Sequence, residues 1–345
     1  MEDSTPRADT INKLRSAANG AFAMLAGMQL DVFTPMKDGP LTAEQIAAAI
    51  GVGPSRLRLL LYVLVTAGLL TEQDGRFSNT AEANHFLVKG LPSYLGNRHA
   101  TIAMTWSAYL KTAESIRSGA PQAKMDFSNS PQEDVEAFLR SINANTVPAA
   151  RTLLEKYDFS FVRTLVDVGS GGAGVALTIT KAFPQIVATA VDLSQVAPIA
   201  EKIVREEGAT ERVKVVAADV LSGPLVGAYD VAIMRSFLQV FSPQDASLAL
   251  KHVAAAVKPG GRIYIIGQIL DDSRRSPLGA VGFNLNFINH YDAGESYTEK
   301  EHRDWLTDVG FIDVERANFL LDDGSGLITA RKRIQSGLSP TTGMI

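Results

Sequence analysis

In the second half of the chain, short apolar runs rich in β-branched residues alternate with segments of helical spacing. Such runs predict buried strands, and the segments between them predict helices that connect one parallel strand to the next. The pattern therefore indicates an α/β domain with a parallel sheet. The predicted strands are residues 165–168, 187–191, 213–217, 230–234 and 262–266.

The first half has a different pattern, in which helices precede one short hairpin. Apolar residues at helical spacing predict a helix over residues 11–33, and small or apolar residues extend around most of it, so we expect wide burial. Residues 42–45, TAEQ, have the form of a capping box that opens a helix through Ile50. A second helix is predicted over residues 54–67, and Asp74-Gly75 between two strand-like runs predicts a hairpin.

Helix, turn, helix and hairpin together predict a winged helix, which can bind DNA or serve as a scaffold. Its second helix reads SRLRLLLYVLVTAG, with Arg56 and Arg58 as the only cations. A recognition helix needs polar side chains to reach base edges. The sequence therefore favours a dimerisation scaffold, and a DNA-binding regulator is the alternative from another class.

Two further helices are predicted over residues 92–118 and 132–157, with a polar link at residues 124–131. The expected organisation is a helical winged-helix domain over residues 1–155 and an α/β domain over residues 156–345.

The segment TLVDVGSGGAG, residues 164–174, joins the first predicted strand to the first helix of the α/β domain. Its glycines allow positive φ and leave no Cβ in the way of a ligand, and the helix N-terminus adds free backbone N–H groups. Gly169, Gly171 and Gly174 also fit the dinucleotide pattern G-x-G-x-x-G. The glycines alone therefore leave the cofactor undecided.

Three aspartates distinguish between cofactors, because parallel strands bring their carboxyl ends to one edge of the sheet. Asp167 stands two residues before the first glycine, where an anion is unfavourable beside a pyrophosphate and favourable beside an ammonium group. Asp192, after the second strand, is placed to bind ribose hydroxyls. Asp219, after the third, is placed to accept a hydrogen bond from an adenine amine.

The segments VDVGSGGAG, AVDL, VAADVL and VKPGGRI resemble the successive motifs of class I S-adenosylmethionine-dependent methyltransferases. With its N-terminal half, the chain resembles the plant-type and bacterial small-molecule O-methyltransferases, which include caffeic acid, anthracycline and pigment methyltransferases. The resemblance implies a Rossmann-like cofactor domain that ends in an antiparallel strand pair, residues 314–319 and 327–332. It also implies S-adenosyl-L-methionine as cofactor, S-adenosyl-L-homocysteine as product, and a homodimer formed through the winged-helix domain.

Composition narrows the class of protein further. The chain has no cysteine, which excludes disulfides, thiolate metal sites and cysteine nucleophiles. Its net charge of −4 and the absence of a long basic run argue against a nucleic-acid partner. The polar start is unlike a signal peptide, no apolar run is long enough to span a membrane, and no metal-ligand spacing occurs. We therefore expect a cytoplasmic enzyme without a metal or a membrane partner.

The resemblance assigns site residues one by one. The methionine part of the cofactor lies against the glycine segment, the ribose at the second strand and the adenine at the third, while residues after the fourth strand flank the cofactor. The implied cofactor-binding residues are Asp167, Gly169, Gly171, Asp192, Leu193, Asp219, Val220, Arg235, Ser236 and Phe241. The implied acceptor-pocket residues are Phe138, Ile142, Asn143, Asn286 and Trp106, for each of which plain packing is an equal alternative.

The family's usual catalytic base is missing from this sequence. Residues 234–242 match the segment that carries a histidine in the family, and Gln239 stands at the histidine position. A neutral amide can hydrogen-bond but cannot accept a proton at useful pH. The two glutamates that hold the histidine in the family correspond to Gln268 and Glu295.

Three explanations of the missing base are open. The acceptor is acidic or internally activated, so that proximity and orientation suffice. Alternatively, His290 in NFINHY, or less favourably Tyr291, serves as the base, whereas His252 and His302 are expected to be solvated. The third is hydroxylation or pericyclic chemistry in place of methyl transfer. The sequence thus predicts methylation of an aromatic or polyketide-like secondary metabolite on oxygen, with carbon methylation as the second possibility.

Overall fold

The computed structural model describes residues 6–91, 93–124, 127, 129–319 and 325–334. The chain forms two compact units, Met1–Ser107 and Ala108–Ile345. Pro92, where one predicted helix begins, and three positions of the predicted polar link, residues 125, 126 and 128, lie outside the described residues.

The first unit contains the predicted winged helix. Its elements are α1 (Asp9–Leu30), β1 (Leu41–Thr42), α2 (Ala43–Ile50), α3 (Pro54–Thr66), β2 (Leu70–Gln73), β3 (Arg76–Asn79), α4 (Ala81–Phe86) and the first part of α5 (His99–Tyr109). The strands form an antiparallel sheet of order β1-β3-β2. The hairpin β2–β3 was predicted, whereas β1 and α4 were not.

The start of α2 follows the predicted capping chemistry. The Thr42 hydroxyl accepts a hydrogen bond from Gln45 N–H (3.3 Å), and the Gln45 side chain accepts one from Thr42 N–H (2.9 Å). Two N–H groups that the helix itself leaves unpaired are satisfied in this way, which confirms the capping box.

The exposed face of α1 differs from the expectation of wide burial. Only Ala23, Gly27 and Met28 of this helix are buried in the unit. Ile11 and Leu14 are each 69% exposed. Burying such a face requires a surface that a single copy of the unit does not supply.

The single helix predicted over residues 92–118 is wrong. A 3₁₀ turn (Gly96–Arg98) precedes α5, and α6 (Thr112–Ser118) is separate from it. The Thr112 hydroxyl donates to Tyr109 O (2.7 Å), and Lys111 N–H donates to Ala108 O (2.9 Å) in a tighter turn. These local bonds replace the α-helical ladder at the break.

The second unit is a seven-stranded sheet with helices on both faces. Its helices after α6 are α7 (Gln132–Lys156), α8 (Gly174–Ala182), α9 (Ala197–Glu206), α10 (Pro243–Ala256), α11 (Leu278–His290) and α12 (Glu299–Asp308). Its strands are β4 (Thr164–Val168), β5 (Val187–Asp192), β6 (Val213–Ala217), β7 (Tyr229–Arg235), β8 (Val257–Gln268), β9 (Phe311–Asn318) and β10 (Ser325–Lys332).

The strand order is β6-β5-β4-β7-β8-β10-β9. The five neighbouring strands β6, β5, β4, β7 and β8 pair in parallel. Strand β10 runs antiparallel to both β8 and β9, which confirms the predicted antiparallel end of the sheet. Chain order reverses between β4 and β7, so the loops after these two strands flank the switch-point crevice.

Both faces of the central strands are buried, which explains their continuous apolar runs. Side chains alternate across the sheet, and β7 illustrates the result. Val231 and Ile233 join the core beneath α7 and α8, while Ala232 and Met234 join the core beneath α10 and α12.

The division between the units falls earlier than the expected domain boundary at residue 155. Helices α6 and α7 belong to the second unit, where α7 packs against α8 and α6 packs against α11. The assignment of residues 1–155 to one acceptor-binding domain therefore stays a prediction. No single helix among the described residues is long and apolar enough to cross a membrane; α2 and α3 reach that length only as a pair bent by 111°.

Candidate active site

The loop after β4 is the centre of the candidate site. Gly169 and Gly171 have φ values of +69° and +53°, in the left-handed region that favours glycine. The N–H groups of Gly169 and Ser170 donate to Val191 O at 2.9 and 3.1 Å, which ties the loop to the end of β5. Helix α8 follows directly, so its free N–H groups lie at the same edge of the sheet.

Asp167 is a buried carboxyl at the end of β4, only 1% exposed. Its pKa is raised from 3.8 to about 7, mainly by burial, and the nearby charge of Asp192 acts in the same direction. The hydrogen bond from Ala176 N–H (3.2 Å) and the charge of Arg235 act in the opposite direction. A cationic group of a ligand would favour the ionised form of this carboxyl.

Asp192 connects the end of β5 to the glycine loop. One carboxylate oxygen accepts from Gly171 N–H (2.7 Å), and the other accepts from Leu193 N–H (2.8 Å). Burial raises the pKa of Asp192, whereas these two hydrogen bonds lower it. The two carboxyls predicted at the sheet edge are therefore close enough to interact, as parallel strand ends require.

Asp219 follows β6 at the same edge, since Ala217 lies opposite Asp192 in the sheet. Its side chain is exposed and caps a turn, accepting from Leu221 N–H and the Ser222 hydroxyl, both at 2.9 Å. Carboxylate oxygens have further lone pairs, so this turn still leaves acceptor capacity for a ligand. The next residue, Val220, is buried.

The segment after β7 brings aromatic rings to the glycine loop. Ser236 has a positive φ of 52° and donates its N–H to Ile266 O (2.7 Å). The Phe237 ring lies so close to Gly169 that a Cβ on this glycine would collide with it. Phe241 packs edge-on against Phe237, with 5.0 Å between ring centroids. Phe237 was not among the predicted site residues, because nothing in the sequence around it indicates a contact with the distant Gly169.

Gln239 is buried, and its carboxamide has a defined orientation. Its Oε1 accepts a hydrogen bond from Gln268 N–H (2.9 Å). A Cβ on Gly267 would lie 2.6 Å from this oxygen, so the missing side chain at position 267 makes room for it. Since Oε1 is the acceptor, the group left for other contacts is the Nε2 amide, which can only donate.

Glu295, the second predicted partner of the histidine position, has a different neighbour. Its carboxylate pairs with Arg274 (2.9 Å) and remains 42% exposed. Arg274 also pairs with Glu301 (2.5 Å), so the charge of Glu295 belongs to a surface ion-pair network.

His290 lies at the end of α11, half-buried. Its Nδ1 is 2.8 Å from Ala123 O. A carbonyl can only accept, so Nδ1 carries the proton in this hydrogen bond, and the neutral ring keeps a lone pair on Nε2. The neighbouring Tyr291 is a poorer proton acceptor, because burial raises its pKa and disfavours the phenolate.

The predicted acceptor-pocket residues lie in different surroundings. Phe138 packs against Phe127, with 5.9 Å between centroids, and Asn143 contacts the glycine loop. Ile142 and Asn286 are half-buried. Trp106 belongs to the first unit, where its ring packs edge-on against Phe22.

Of the two histidines expected to be solvated, His302 is not. His302 is 4% exposed, and its Nδ1 bonds to Thr298 O (2.8 Å); burial lowers its pKa. His252 is half-buried and bonds to Val220 O (2.6 Å). The expectation for His302 was wrong because the charged residues beside it in sequence lie on the more exposed faces of α12.

The sheet order, the glycine loop and the acids at the strand ends are typical of a Rossmann-like domain for an adenosine-containing cofactor. Comparison with known protein families identifies the class of enzyme. The O-methyltransferase domain matches residues 119–312, and the O-methyltransferase dimerisation domain matches residues 17–89. The chain therefore belongs to the O-methyltransferase family. It is an S-adenosylmethionine-dependent methyltransferase, as its motifs predict.

Individual relatives agree with this class. The chain is 28% identical over 318 residues to 3-hydroxy-5-methyl-1-naphthoate 3-O-methyltransferase of Streptomyces sahachiroi, covering 90% of this chain and 91% of the relative. It is 28% identical over 311 residues to the tetracenomycin polyketide synthesis 8-O-methyl transferase of Streptomyces glaucescens, covering 88% and 91%. Among solved structures, human N-acetylserotonin methyltransferase in complex with S-adenosylmethionine has the same fold, with a TM-score of 0.77, 22% identity and coverage of 96% and 100%.

Proposed function

We propose that this enzyme methylates a phenolic oxygen of an aromatic, polyketide-like secondary metabolite, and that it does so by positioning the acceptor instead of deprotonating it through the usual histidine. The observation that carries the proposal is the buried Gln239 carboxamide, whose Oε1 is engaged by Gln268 N–H. The relatives named above act on a hydroxynaphthoate and on a polyketide product, which supports the acceptor class.

The residues of the crevice fit the cofactor. When bound, S-adenosylmethionine supplies a methyl group on a sulfonium, which is already activated for in-line displacement. Asp167 would pair with the ammonium group, because a cation beside this buried carboxyl would favour its ionised form. Asp192 would hold the ribose and Asp219 the adenine, with Leu193 and Val220 beside them.

Other parts of the predicted site complete the arrangement. The loop glycines Gly169 and Gly171 would allow close approach of the cofactor. Arg235 at the end of β7, with Ser236 and Phe241 after it, would flank the cofactor on the other side of the crevice.

Gln239 would act as a hydrogen-bond donor to the acceptor. A donated N–H stabilises an oxygen that is already ionised, or a carbonyl next to it, but it cannot remove a proton. The favoured acceptor is therefore a phenol of low pKa, or one whose hydroxyl is activated by a neighbouring carbonyl. Alignment of this oxygen with the methyl group is then the main contribution of the protein.

His290 is a second candidate for the proton acceptor. The hydrogen bond to Ala123 O holds the proton on Nδ1 and leaves the lone pair on Nε2. This tautomer is the one a general base needs if Nε2 faces the acceptor.

The working enzyme would be a homodimer. Phe22, 55% exposed, and Leu30 lie within the segment that matches the dimerisation domain, and the exposed Ile11 and Leu14 lie just before it on the same helix. Light scattering after size-exclusion chromatography should give twice the mass of the 37.0 kDa chain.

The test is an assay with S-adenosylmethionine and paired phenols, one with a carbonyl next to the hydroxyl and one without. We expect S-adenosylhomocysteine and an O-methylated product by mass spectrometry, with turnover much higher for the carbonyl-bearing phenol. Equal turnover of both phenols would contradict catalysis without a base at position 239. A methyl group on carbon, or a product without an added methyl group, would overturn O-methylation.

A further inference from the structure

Asn143 on α7 is wedged against the loop that follows β4. Its Nδ2 donates a hydrogen bond to Gly172 O (3.0 Å). A Cβ on Gly172 would lie 2.5 Å from Nδ2, and the three nearest atoms would all belong to Asn143. A Cβ on Gly174 would lie 2.6 Å from Oδ1. The carboxamide thus fills the space that these two glycines leave.

The loop therefore contains glycines of two kinds. Gly169 and Gly171 have positive φ, so their backbone conformation itself favours glycine. Gly172 has no positive φ, and the obstacle to a larger residue there is the Asn143 side chain. The glycine-rich sequence at positions 172 and 174 is explained by a contact from another helix.

The second polar atom of Asn143 gives independent information. Oδ1 is buried and has no hydrogen-bond partner among the described residues. Leaving a buried acceptor unpaired costs about 1–3 kcal/mol, which an apolar side chain of similar shape would avoid. Oδ1 lies beside Gly174, the first residue of α8, where the positive end of the helix dipole offsets part of this cost. The carboxamide at this position is thus explained by its Nδ2 group, which donates the hydrogen bond to Gly172 O.

We propose that Asn143 is a positioning residue for the cofactor loop, and that it does not act by contacting the acceptor. Holding the Gly172 carbonyl fixes the peptide that joins Gly172 to Ala173, one residue after Gly171, whose N–H binds the Asp192 carboxylate. Loss of the carboxamide lets this part of the loop move relative to Asp167 and Asp192. The proposal rests on the use of S-adenosylmethionine as cofactor, and it predicts an effect on cofactor affinity that is independent of the acceptor.

The first test measures S-adenosylhomocysteine binding by isothermal titration calorimetry. Asn143→Ala should weaken binding about fivefold to tenfold, the effect of one lost hydrogen bond. Asn143→Asp has the same shape and places an oxygen against Gly172 O, so it should weaken binding at least as much. Asn145→Ala is the matched control on the same helix, since Asn145 makes no side-chain hydrogen bond among the described residues, and it should bind like the wild type. Unchanged affinity in Asn143→Asp would overturn the proposal and return Asn143 to the acceptor pocket.

A double-mutant cycle tests the contact directly. In the wild-type background, Gly172→Ala should weaken S-adenosylhomocysteine binding more than about tenfold, because the new methyl group meets the carboxamide. In the Asn143→Ala background, the same change should cost less than about threefold, because the obstacle is gone. Additive effects would overturn the proposal. A wild-type enzyme that binds S-adenosylhomocysteine but does not methylate phenols would contradict the proposed function and leave this inference intact.

Discussion

Replacing Asp167 by asparagine should make the cofactor-free enzyme more stable and its cofactor binding weaker. The carboxyl is 1% exposed, and burial raises its pKa from 3.8 to about 7. Asparagine has nearly the same shape, is neutral at every pH, and keeps an oxygen that accepts from Ala176 N–H, which is 3.2 Å from the carboxylate. The variant therefore removes the cost of burying a charge without opening a cavity.

The size and sign of the stability effect follow from the pKa. One pKa unit corresponds to about 1.4 kcal/mol, so a difference of about three units corresponds to on the order of 4 kcal/mol. Because the folded-state pKa lies above the unfolded value, the folded protein holds an extra proton between pH 4 and pH 7, roughly. Stability of the wild type is therefore lost as pH rises through this window, and the full cost of the charge is present above it.

Urea unfolding at pH 4.5 and pH 8 measures this effect. We compare the free energy of unfolding of Asp167→Asn with that of the wild type. The difference in favour of the variant should be larger at pH 8 than at pH 4.5, by on the order of 3 kcal/mol. Glu155→Gln, which removes an exposed carboxyl from α7, is the control, and its stability difference from the wild type should be the same at both pH values. Calorimetry should show S-adenosylhomocysteine binding weakened about tenfold or more in Asp167→Asn, since the ammonium group loses its carboxylate. An equal stability difference at both pH values would refute the charge-burial argument.

Three other substitutions test separate parts of the enzyme. Asp192→Ala removes the acceptor of the Gly171 and Leu193 N–H groups and should weaken S-adenosylhomocysteine binding about 10- to 100-fold without unfolding the protein, as calorimetry and circular dichroism would show. His290→Ala should lower turnover and spare cofactor affinity; an unchanged kcat would leave His290 a structural role. Asp230→Asn should lower the free energy of unfolding by about 2–3 kcal/mol at pH 7, because the carboxylate accepts from two N–H groups and pairs with Lys258. Partial burial alone would raise the pKa of Asp230, but these bonds hold it at about 2. The stabilisation should therefore be lost as pH falls from about 4 towards 2. A stability difference that persists at pH 2 would contradict this reasoning.

The sequence predicts the strands of the second unit well, because their buried residues form continuous apolar runs. Alternate residues of β7 enter opposite cores, so the run from Val231 to Met234 is apolar throughout and is detected as a buried strand. The meeting of Asp167 and Asp192 was predictable for a related reason, since both end neighbouring parallel strands.

Contacts between residues far apart in sequence were not predictable in the same way. The Phe237 ring over Gly169 and the bond from Gln268 N–H to Gln239 depend on how separate elements pack. The break between α5 and α6 also escaped, because Thr112 favours a local hydrogen bond that a periodic pattern does not reveal.

The orientation of Gln239 links these contacts to the choice of acceptor. The backbone N–H of Gln268 fixes Oε1, and the bare Cα of Gly267 gives that oxygen its space, so rotation of the amide would place its N–H₂ against an N–H donor. The side chain is thus held as a donor towards the crevice, and a carboxamide is not a proton acceptor in either orientation. Under the proposed function, the proton is therefore lost through the acceptor's own acidity or to another group such as His290. For this reason the Gln239 position constrains the acid–base chemistry of the substrate more than its shape.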